Sequence, residues 1–241
     1  MRIPTLAGII RRRMLVNFRV DPEIMQRQLP SRFTPKLHNG YAVAGVCLIR
    51  LEHIRPKPLP AIGGLSSENA AHRVAVVWQD ENNQAQEGVF IPRRDTDSLV
   101  GHLAGGRVFP GEHHRAGFTV QQSEAEIDFA MQSKDAQVAV QVKGSIVDQL
   151  PGSSIFASLS EASEFFEGGS LGYSVTSDAS RLDGLRLETK NWRVEALAVK
   201  EVHSSYFASE AMFPPGSVEF DHALIMRNLE HEWHAAPDLY V

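Results

Sequence analysis

Short stretches that alternate between apolar and polar residues recur along the chain, and this pattern constrains the fold more than any other feature. It marks residues 113–120, 126–131, 137–143 and 185–190. A period of two residues is typical of a β-strand with one buried and one solvated face. Residues 41–49 are almost continuously apolar, as in a strand buried on both faces. Such closely spaced strands predict antiparallel meanders in a barrel or a sandwich.

Short helices are predicted between the strands, each with a capping residue near its start and a helix breaker at its end. Their starts are Asp21-Pro22-Glu23, Asp97-Ser98 and Ser158, and their ends are Pro30, Gly105-Gly106 and Gly168-Gly169. Strands and helices do not alternate in a βαβ rhythm, and no low-complexity linker divides the chain. We therefore expect an α+β protein, mainly β, in which residues 1–241 form a single domain.

The charge balance and the cysteine content exclude several classes of protein. The chain has 24 Lys and Arg residues against 29 Asp and Glu residues, and this net charge of −5 gives no electrostatic reason to expect nucleic-acid binding. Cys47 is the only cysteine, so an intramolecular disulfide is impossible. No apolar run reaches the roughly eighteen residues of a membrane helix, and no signal peptide is evident. We expect a cytoplasmic protein with neither nucleic-acid nor membrane partners.

The histidines do not show the spacing of a metal site. His231, Glu232 and His234 lie close together, but a zinc-protease helix separates its two histidine ligands by four residues. An exposed polar C-terminal segment is the simpler interpretation. The chain also lacks the glycine-rich motifs that bind phosphates or dinucleotides. We therefore expect neither a metal nor another cofactor.

The segment Arg93-Arg94-Asp95-Thr96-Asp97 places four charges just before a predicted helix. It is either a solvated turn with a capping aspartate or an anion clamp, because arginine offers planar bidentate donors to a carboxylate. We assign Arg94 and Asp97, together with His113 on a later strand, as candidate ligand-binding residues.

A second set of polar residues opens the apolar strand that starts at Glu68. Strand alternation places Glu68, Ala70, His72 and Val74 on one face, and Arg73 on the other. A carboxylate and an imidazole side by side inside a barrel could work as acid and base. An ordinary glutamate at the start of a strand would give the same pattern. Glu68 is therefore a candidate catalytic residue, and His72 a candidate ligand-binding residue.

Several stretches resemble the acetoacetate decarboxylase family. Residues 17–23, Asn-Phe-Arg-Val-Asp-Pro-Glu, resemble the Tyr-Arg-Thr-Asp-Pro-Glu opening of that family, and Leu29-Pro30 resembles the Leu-Pro that closes its first helix. Glu68 resembles the family's active-site glutamate, and residues 106–110 resemble the segment that leads into its Phe-Pro-Lys-Lys. The resemblance implies a cone-shaped antiparallel β-barrel with a few peripheral helices, one central pocket and frequent homo-oligomerisation.

A closer resemblance is to an uncharacterised bacterial family, a domain of unknown function grouped with the acetoacetate decarboxylase-like superfamily. The segments that carry it are Arg13-Met14 with Asn17-Phe18-Arg19, Gly63-Gly64-Leu65, Asp95-Thr96-Asp97-Ser98, and Ser217-Val218-Glu219-Phe220 through His231-Glu232-Trp233-His234. The resemblance covers most of the chain and is vaguest between Gln121 and Gly216.

The chain departs from acetoacetate decarboxylases at the residue that defines their chemistry. Those enzymes form an imine between the substrate ketone and a lysine whose amine is activated by desolvation and a neighbouring cation. Here Gly111 and Glu112 follow Phe109-Pro110, and none of the six lysines lies near this segment in sequence. The resemblance therefore implies a pocket that keeps Arg19 for anion binding and Glu68, and gains a carboxylate at Glu112.

Three functions remain open at this point. The first is an enzyme that acts on a small organic acid or carbonyl compound by proton transfer, with Arg19, Glu68 and Glu112 as its catalytic residues. The second is a non-catalytic barrel that binds a small ligand as a sensor or carrier. The third is a decarboxylase-type lyase that uses a lysine from elsewhere in the fold.

Overall fold

The computed structural model describes residues 4–60, 64–104 and 110–241. Outside these ranges lie Gly63, the predicted helix end at Gly105-Gly106, and residues 106–109. The described chain is mainly β with short helices, as the sequence predicts. Its elements are β1 (Leu6–Val20), α1 (Pro22–Gln26), β2 (Thr34–Pro35), β3 (Leu37–His38), β4 (Tyr41–Pro56), β5 (Leu65–Gln79), β6 (Ala85–Thr96), α2 (Leu99–Ala104), β7 (His113–Gln122), β8 (Glu126–Ser133), β9 (Ala139–Val147), α3 (Leu159–Glu167), β10 (Leu171–Val175), β11 (Arg181–Thr189), β12 (Glu195–Ser204) and β13 (Val218–Tyr240).

The strands of the described residues form one 13-stranded sheet, in the order β11-β10-β6-β7-β8-β9-β12-β13-β1-β4-β5-β2, with β3 paired to β4. Strand β6 also pairs with β5, and β11 with β13, so the path of paired strands returns to itself. Most pairs are antiparallel, but β6 runs parallel to both β7 and β10. The prediction of a purely antiparallel arrangement is therefore wrong at β6. Parallel neighbours need a crossover connection, and the segment that contains α2 connects β6 to β7.

Apolar side chains pack into two cores, and the long strands contribute to both. On β1, Met14 and Val16 belong to the first core, whereas Leu15 belongs to the second. Helix α3 adds Ala162 and Phe166 to the second core. Because successive side chains of a strand point to opposite faces, the position of a polar residue along its strand decides which core it faces.

The capping residues predicted for the first and third helices are confirmed. Asp21 Oδ1 accepts hydrogen bonds from the backbone N–H groups of Glu23 and Ile24, at 2.8 and 3.1 Å. Ser158 Oγ accepts from the N–H of Glu161 at 3.1 Å. Helix α1 ends at Gln26, earlier than the predicted end at Pro30. These caps satisfy N–H groups that a helix cannot pair internally.

Helix α2 is exposed, and the last strand differs from expectation. Leu99 and Leu103 of α2 are 59% and 62% exposed, so these two side chains face solvent. The predicted exposed polar C-terminal segment is wrong for His231, because β13 pairs with β1 and β11 and leaves His231 only 3% exposed. None of the helices that the structure describes has the length and apolar character needed to cross a membrane.

Candidate ligand-binding site

A cleft of about 540 Å³, including its open mouth, lies beside the second core at the edge where β5, β6 and β7 meet. One wall is apolar, and a group of polar side chains faces it. The lining residues are Leu51, Ile54, Leu65, Ser67, Asn69, Arg94, Thr96, Ser98, Gly101, Pro110, His113, Leu185 and Trp233. An apolar cleft with a few convergent polar groups is the usual form of a small-molecule site.

Arg94 and His113 meet in this cleft because their strands run parallel. The two residues are direct register partners in the β6–β7 pair. Arg94 Nε donates a hydrogen bond to Ser174 Oγ at 2.9 Å, which fixes the plane of the guanidinium. Arg94 forms no ion pair with a carboxylate of the described residues. Burial, the largest influence, lowers the pKa of Arg94 to about 10, so the group remains charged at neutral pH.

The imidazole of His113 is neutral at physiological pH. Burial is the main cause and the positive charge of Arg94 the second, and together they hold its pKa at about 3. Its Nδ1 lies 3.1 Å from the carbonyl oxygen of Gly111, which makes Nδ1 the protonated nitrogen. The cleft therefore offers one permanent cation and one neutral imidazole.

Gly111 stands where the resemblance to acetoacetate decarboxylases places a lysine, and the structure leaves no room for a side chain there. Its φ of +76° disfavours other residues, and a Cβ atom would lie 2.5 Å from Ser174 Cβ. The N–H of Gly111 donates to Asp183 Oδ2 at 2.9 Å. Gly111 is thus packed against the same serine that orients Arg94.

Glu68 faces away from the cleft. Its neighbours Ser67 and Asn69 line the cleft, so alternation directs the Glu68 carboxylate to the opposite face, where Arg12 Nη2 lies 2.5 Å away. Arg12, Arg50 and Glu68 are register partners across three adjacent strands. Burial is the largest influence on Glu68 and raises its pKa, although both arginines lower it.

The three predicted catalytic residues do not come together. Phe18 and Val20 face the first core, so Arg19 projects from the other face, where its Nη2 lies 2.5 Å from Glu219 and its Nη1 donates to the Ser153 carbonyl at 2.7 Å. Glu112 is exposed at the start of β7. Arg12, and not Arg19, is the arginine that contacts Glu68.

The remaining predicted ligand-binding residues lie outside the cleft. His72 is fully buried against the ring of Tyr206, with 4.6 Å between centroids, and neither of its nitrogens has a hydrogen-bond partner among the described residues. Burial lowers its pKa to about 3. Arg73 lies on the opposite face, with its Cζ 4.8 Å from the Phe166 ring, as alternation predicts. Asp97 is exposed, and its Oδ1 accepts from the N–H of Glu68 at 3.0 Å.

All six lysines belong to the described residues, and none lines the cleft. Five of them are exposed. The sixth, Lys36, is half-buried, with its Nζ 2.7 Å from Glu87 Oε2 and 4.5 Å from the centre of the Phe165 ring.

Sequence reasoning missed Arg12 and Ser174. The signal for Arg12 was present in Arg11-Arg12-Arg13, where alternation along a strand would have separated the middle arginine from its neighbours. No local signal identifies Ser174, because β10 reaches Arg94 only through its parallel pairing with β6.

Comparison with known proteins gives the family. The family model DUF2071, described as an uncharacterized conserved protein, matches residues 10–226. The chain belongs to the DUF2071 family. No curated protein matches its sequence.

Solved structures similar to this DUF2071 protein share the acetoacetate decarboxylase fold. The acetoacetate decarboxylase of Legionella pneumophila subsp. pneumophila str. Philadelphia 1 superposes with a TM-score of 0.61 at 13% identity, covering 99% of this chain and 88% of that chain. An acetoacetate decarboxylase-like enzyme from Sphingomonas wittichii RW1 gives 0.56 at 11% identity, covering 100% and 94%. The enduracididine biosynthesis enzyme MppR complexed with pyruvate gives 0.56 at 13%, covering 100% and 91%. At these identities the likeness establishes the fold and not the activity.

Proposed function

We propose that this DUF2071 protein binds a small organic acid in the cleft, with Arg94 as the group that recognises the carboxylate. The observation that carries the proposal is a charged guanidinium that Ser174 orients and that forms no direct ion pair with a carboxylate of the described chain, although the charge of Asp183 favours its charged form. A guanidinium presents two parallel donors to a carboxylate, so an organic acid supplies the missing partner.

The other walls of the cleft suit the rest of such a ligand. Leu51, Ile54 and Trp233 contribute apolar surface, and Ser67 and Asn69 contribute polar groups. Because Nδ1 of the neutral His113 is the protonated nitrogen, its Nε2 is an acceptor that suits a hydroxyl group and adds no charge. Pyruvate, the ligand named for MppR, is a small organic acid of this kind, with a carboxylate on a compact body.

A reaction on this ligand would proceed without an imine. The packing around Gly111 and the absence of lysine from the cleft lining support this view. The non-catalytic alternative, a sensor or carrier, uses the same Arg94 contact and differs only in that the ligand is not consumed.

A second candidate function is acid–base catalysis by Glu68. The supporting observation is its buried carboxyl group with a raised pKa beside Arg12. A buried carboxyl group with a raised pKa is a candidate for general acid–base catalysis. Arg94 on β6 lines the cleft, whereas Glu68 on β5 faces the opposite side of the sheet, so variants of the two residues separate the candidates.

The experiment is a titration of pyruvate by isothermal calorimetry, followed by an assay for its consumption. Arg94→Met should weaken binding roughly 10–100-fold, the usual effect of losing charge-assisted hydrogen bonds. Arg27→Met removes the same charge from an exposed position of the chain and should leave binding unchanged. Equal affinities for the wild type and Arg94→Met would contradict the proposal. Consumption that Glu68→Gln abolishes would favour the second candidate.

Three broader expectations belong with this proposal. The returning path of paired strands supports a cone-shaped barrel. The exposed apolar side chains of α2 support a homo-oligomer, because such surfaces are commonly covered by a partner. The single cysteine is consistent with a cytoplasmic location.

A further inference from the structure

A second pocket, separate from the Arg94 cleft, lies between the sheet and α3. It has a volume of about 410 Å³, including its mouth, and shares no lining residue with the cleft. Its polar side chains are mostly cationic, and its walls are mostly apolar. The lining residues are Arg13, Leu15, Lys36, Arg73, Ala75, Glu87, Gly88, Val89, Phe165, Phe166 and Gly169.

Arg73 is the unusual group in this pocket. It is only 4% exposed, forms no ion pair with a carboxylate of the described chain, and keeps an Nε that has no hydrogen-bond partner there. Burial lowers its pKa to about 10, so the guanidinium is still charged at neutral pH. A buried cation without an opposite charge costs several kcal/mol. The ring of Phe166, 4.8 Å from Arg73 Cζ, offsets part of this cost, and a bound anion would offset more.

A chain of hydrogen bonds fixes the orientation of Arg73. Its Nη2 donates to Asn17 Oδ1 at 2.5 Å, and Asn17 Nδ2 lies 3.0 Å from His222 Nε2. His222 Nδ1 donates to Asp221 Oδ2 at 2.5 Å, so Nε2 is the acceptor nitrogen. Burial lowers the pKa of His222, which keeps this imidazole neutral. This series of hydrogen bonds therefore holds the Arg73 guanidinium in place without neutralising its charge.

The surrounding charges favour an anion. Lys36 already pairs with Glu87, at 2.7 Å, so these two charges balance each other. Arg13 adds a second cation, and its Nε donates to the sulfur of Cys47 at 3.4 Å. The net charge of the pocket is positive, and Phe165 and Phe166 provide aromatic surface beside it.

We propose that this pocket is a second anion site, which binds an organic carboxylate with an aromatic or compact apolar body through Arg73. The carboxylate accepts hydrogen bonds from the guanidinium, and the apolar body packs against Phe165 and Phe166. This site is independent of the ligand proposed for Arg94, because the two arginines line different pockets.

Benzoate is the probe, and its binding to the full chain is measured by isothermal calorimetry. Because benzoate is also a small organic acid, the titrations are made in the Arg94→Met background, where the cleft no longer recognises a carboxylate. In that background Arg73→Met should weaken benzoate binding by about tenfold or more, whereas the exposed control Arg27→Met should leave it unchanged. Equal benzoate affinities with and without Arg73→Met would overturn the proposal, and so would the absence of any benzoate binding. Loss of pyruvate binding in Arg94→Met with benzoate binding intact separates this site from the cleft.

A second variant covers the case in which Arg73→Met does not fold. Arg73→Lys keeps the positive charge but loses the planar fork and its geometry toward Asn17. It should weaken benzoate binding several-fold while the melting temperature, followed by circular dichroism, stays close to that of the wild type. Unchanged benzoate affinity in a folded Arg73→Lys would also overturn the site.

Discussion

Arg94 and His113 are register partners on the parallel strands β6 and β7, and both side chains line the same cleft. The pair places a permanent cation beside an imidazole. Burial is the main reason for the low pKa of His113, and the charge of Arg94 is the second. The negative charge of an anion bound to Arg94 would act directly on the imidazole of His113. The pKa of His113 would therefore change when the cleft is occupied.

The first prediction concerns the titration of His113. Arg94→Met removes the second cause of its low pKa, so the pKa of His113 should rise, yet stay below the ordinary value of 6.5 because burial remains. The titration is followed by NMR of the imidazole resonances in the wild type and the variant. An unchanged or lower pKa in Arg94→Met would show that the two side chains do not interact.

The second prediction concerns Gly111. Gly111→Ala introduces a Cβ into the 2.5 Å approach to Ser174 and also strains the backbone at φ +76°. Gly40→Ala is a matched control, since Gly40 has φ +83° with nothing within 4 Å of its Cβ position. The control should cost about 1 kcal/mol of unfolding free energy, and Gly111→Ala should cost clearly more. The unfolding free energies are measured with urea. Equal losses in Gly111→Ala and Gly40→Ala would contradict the close packing around Gly111.

The third prediction is a pH dependence of stability. Because burial raises the pKa of Glu68, the folded chain holds this proton more tightly than the unfolded chain does. The stability that this group contributes is present below the ordinary pKa of 4.5 and is lost as pH rises through the folded value. Glu68→Gln cannot ionise, so its stability should change less with pH than that of the wild type.

The measurement is urea unfolding across about pH 4 to 8, with Glu81→Gln, an exposed glutamate, as the control. Glu81→Gln should follow the wild-type profile. If the wild type instead becomes more stable relative to Glu68→Gln as the pH rises, the effect of Arg12 on the pKa of Glu68 is larger than the effect of burial.

Much of the fold could be predicted from local patterns. The alternation of Ile127, Phe129 and Met131 predicts a strand, and these side chains do face the first core. The helix caps at Asp21 and Ser158 could also be predicted, because each cap depends on contacts within a few residues. The parallel pairings of β6 could not, because β10 is distant from β6 in sequence and the direction of β7 depends on the crossover segment that contains α2.

The candidate site was predicted in part. The alternatives given for residues 93–97 include an anion clamp, which stays a prediction, and Arg94 of this segment does line the cleft. Alternation separates Glu68 from Arg73 as observed. The expected meeting of Arg19 with Glu68 depended on a family resemblance. That expectation did not take account of the alternation along β1, which directs Arg19 away from the face of the sheet that holds Glu68.

The most direct test of the central claim compares pyruvate with pyruvamide, its neutral amide, in calorimetric titrations of the wild type and Arg94→Met. If Arg94 recognises the carboxylate, the wild type should prefer pyruvate by roughly tenfold or more, and Arg94→Met should bind both compounds equally. The same preference in both proteins, or no preference in the wild type, would contradict the assignment of Arg94 as the carboxylate-binding residue.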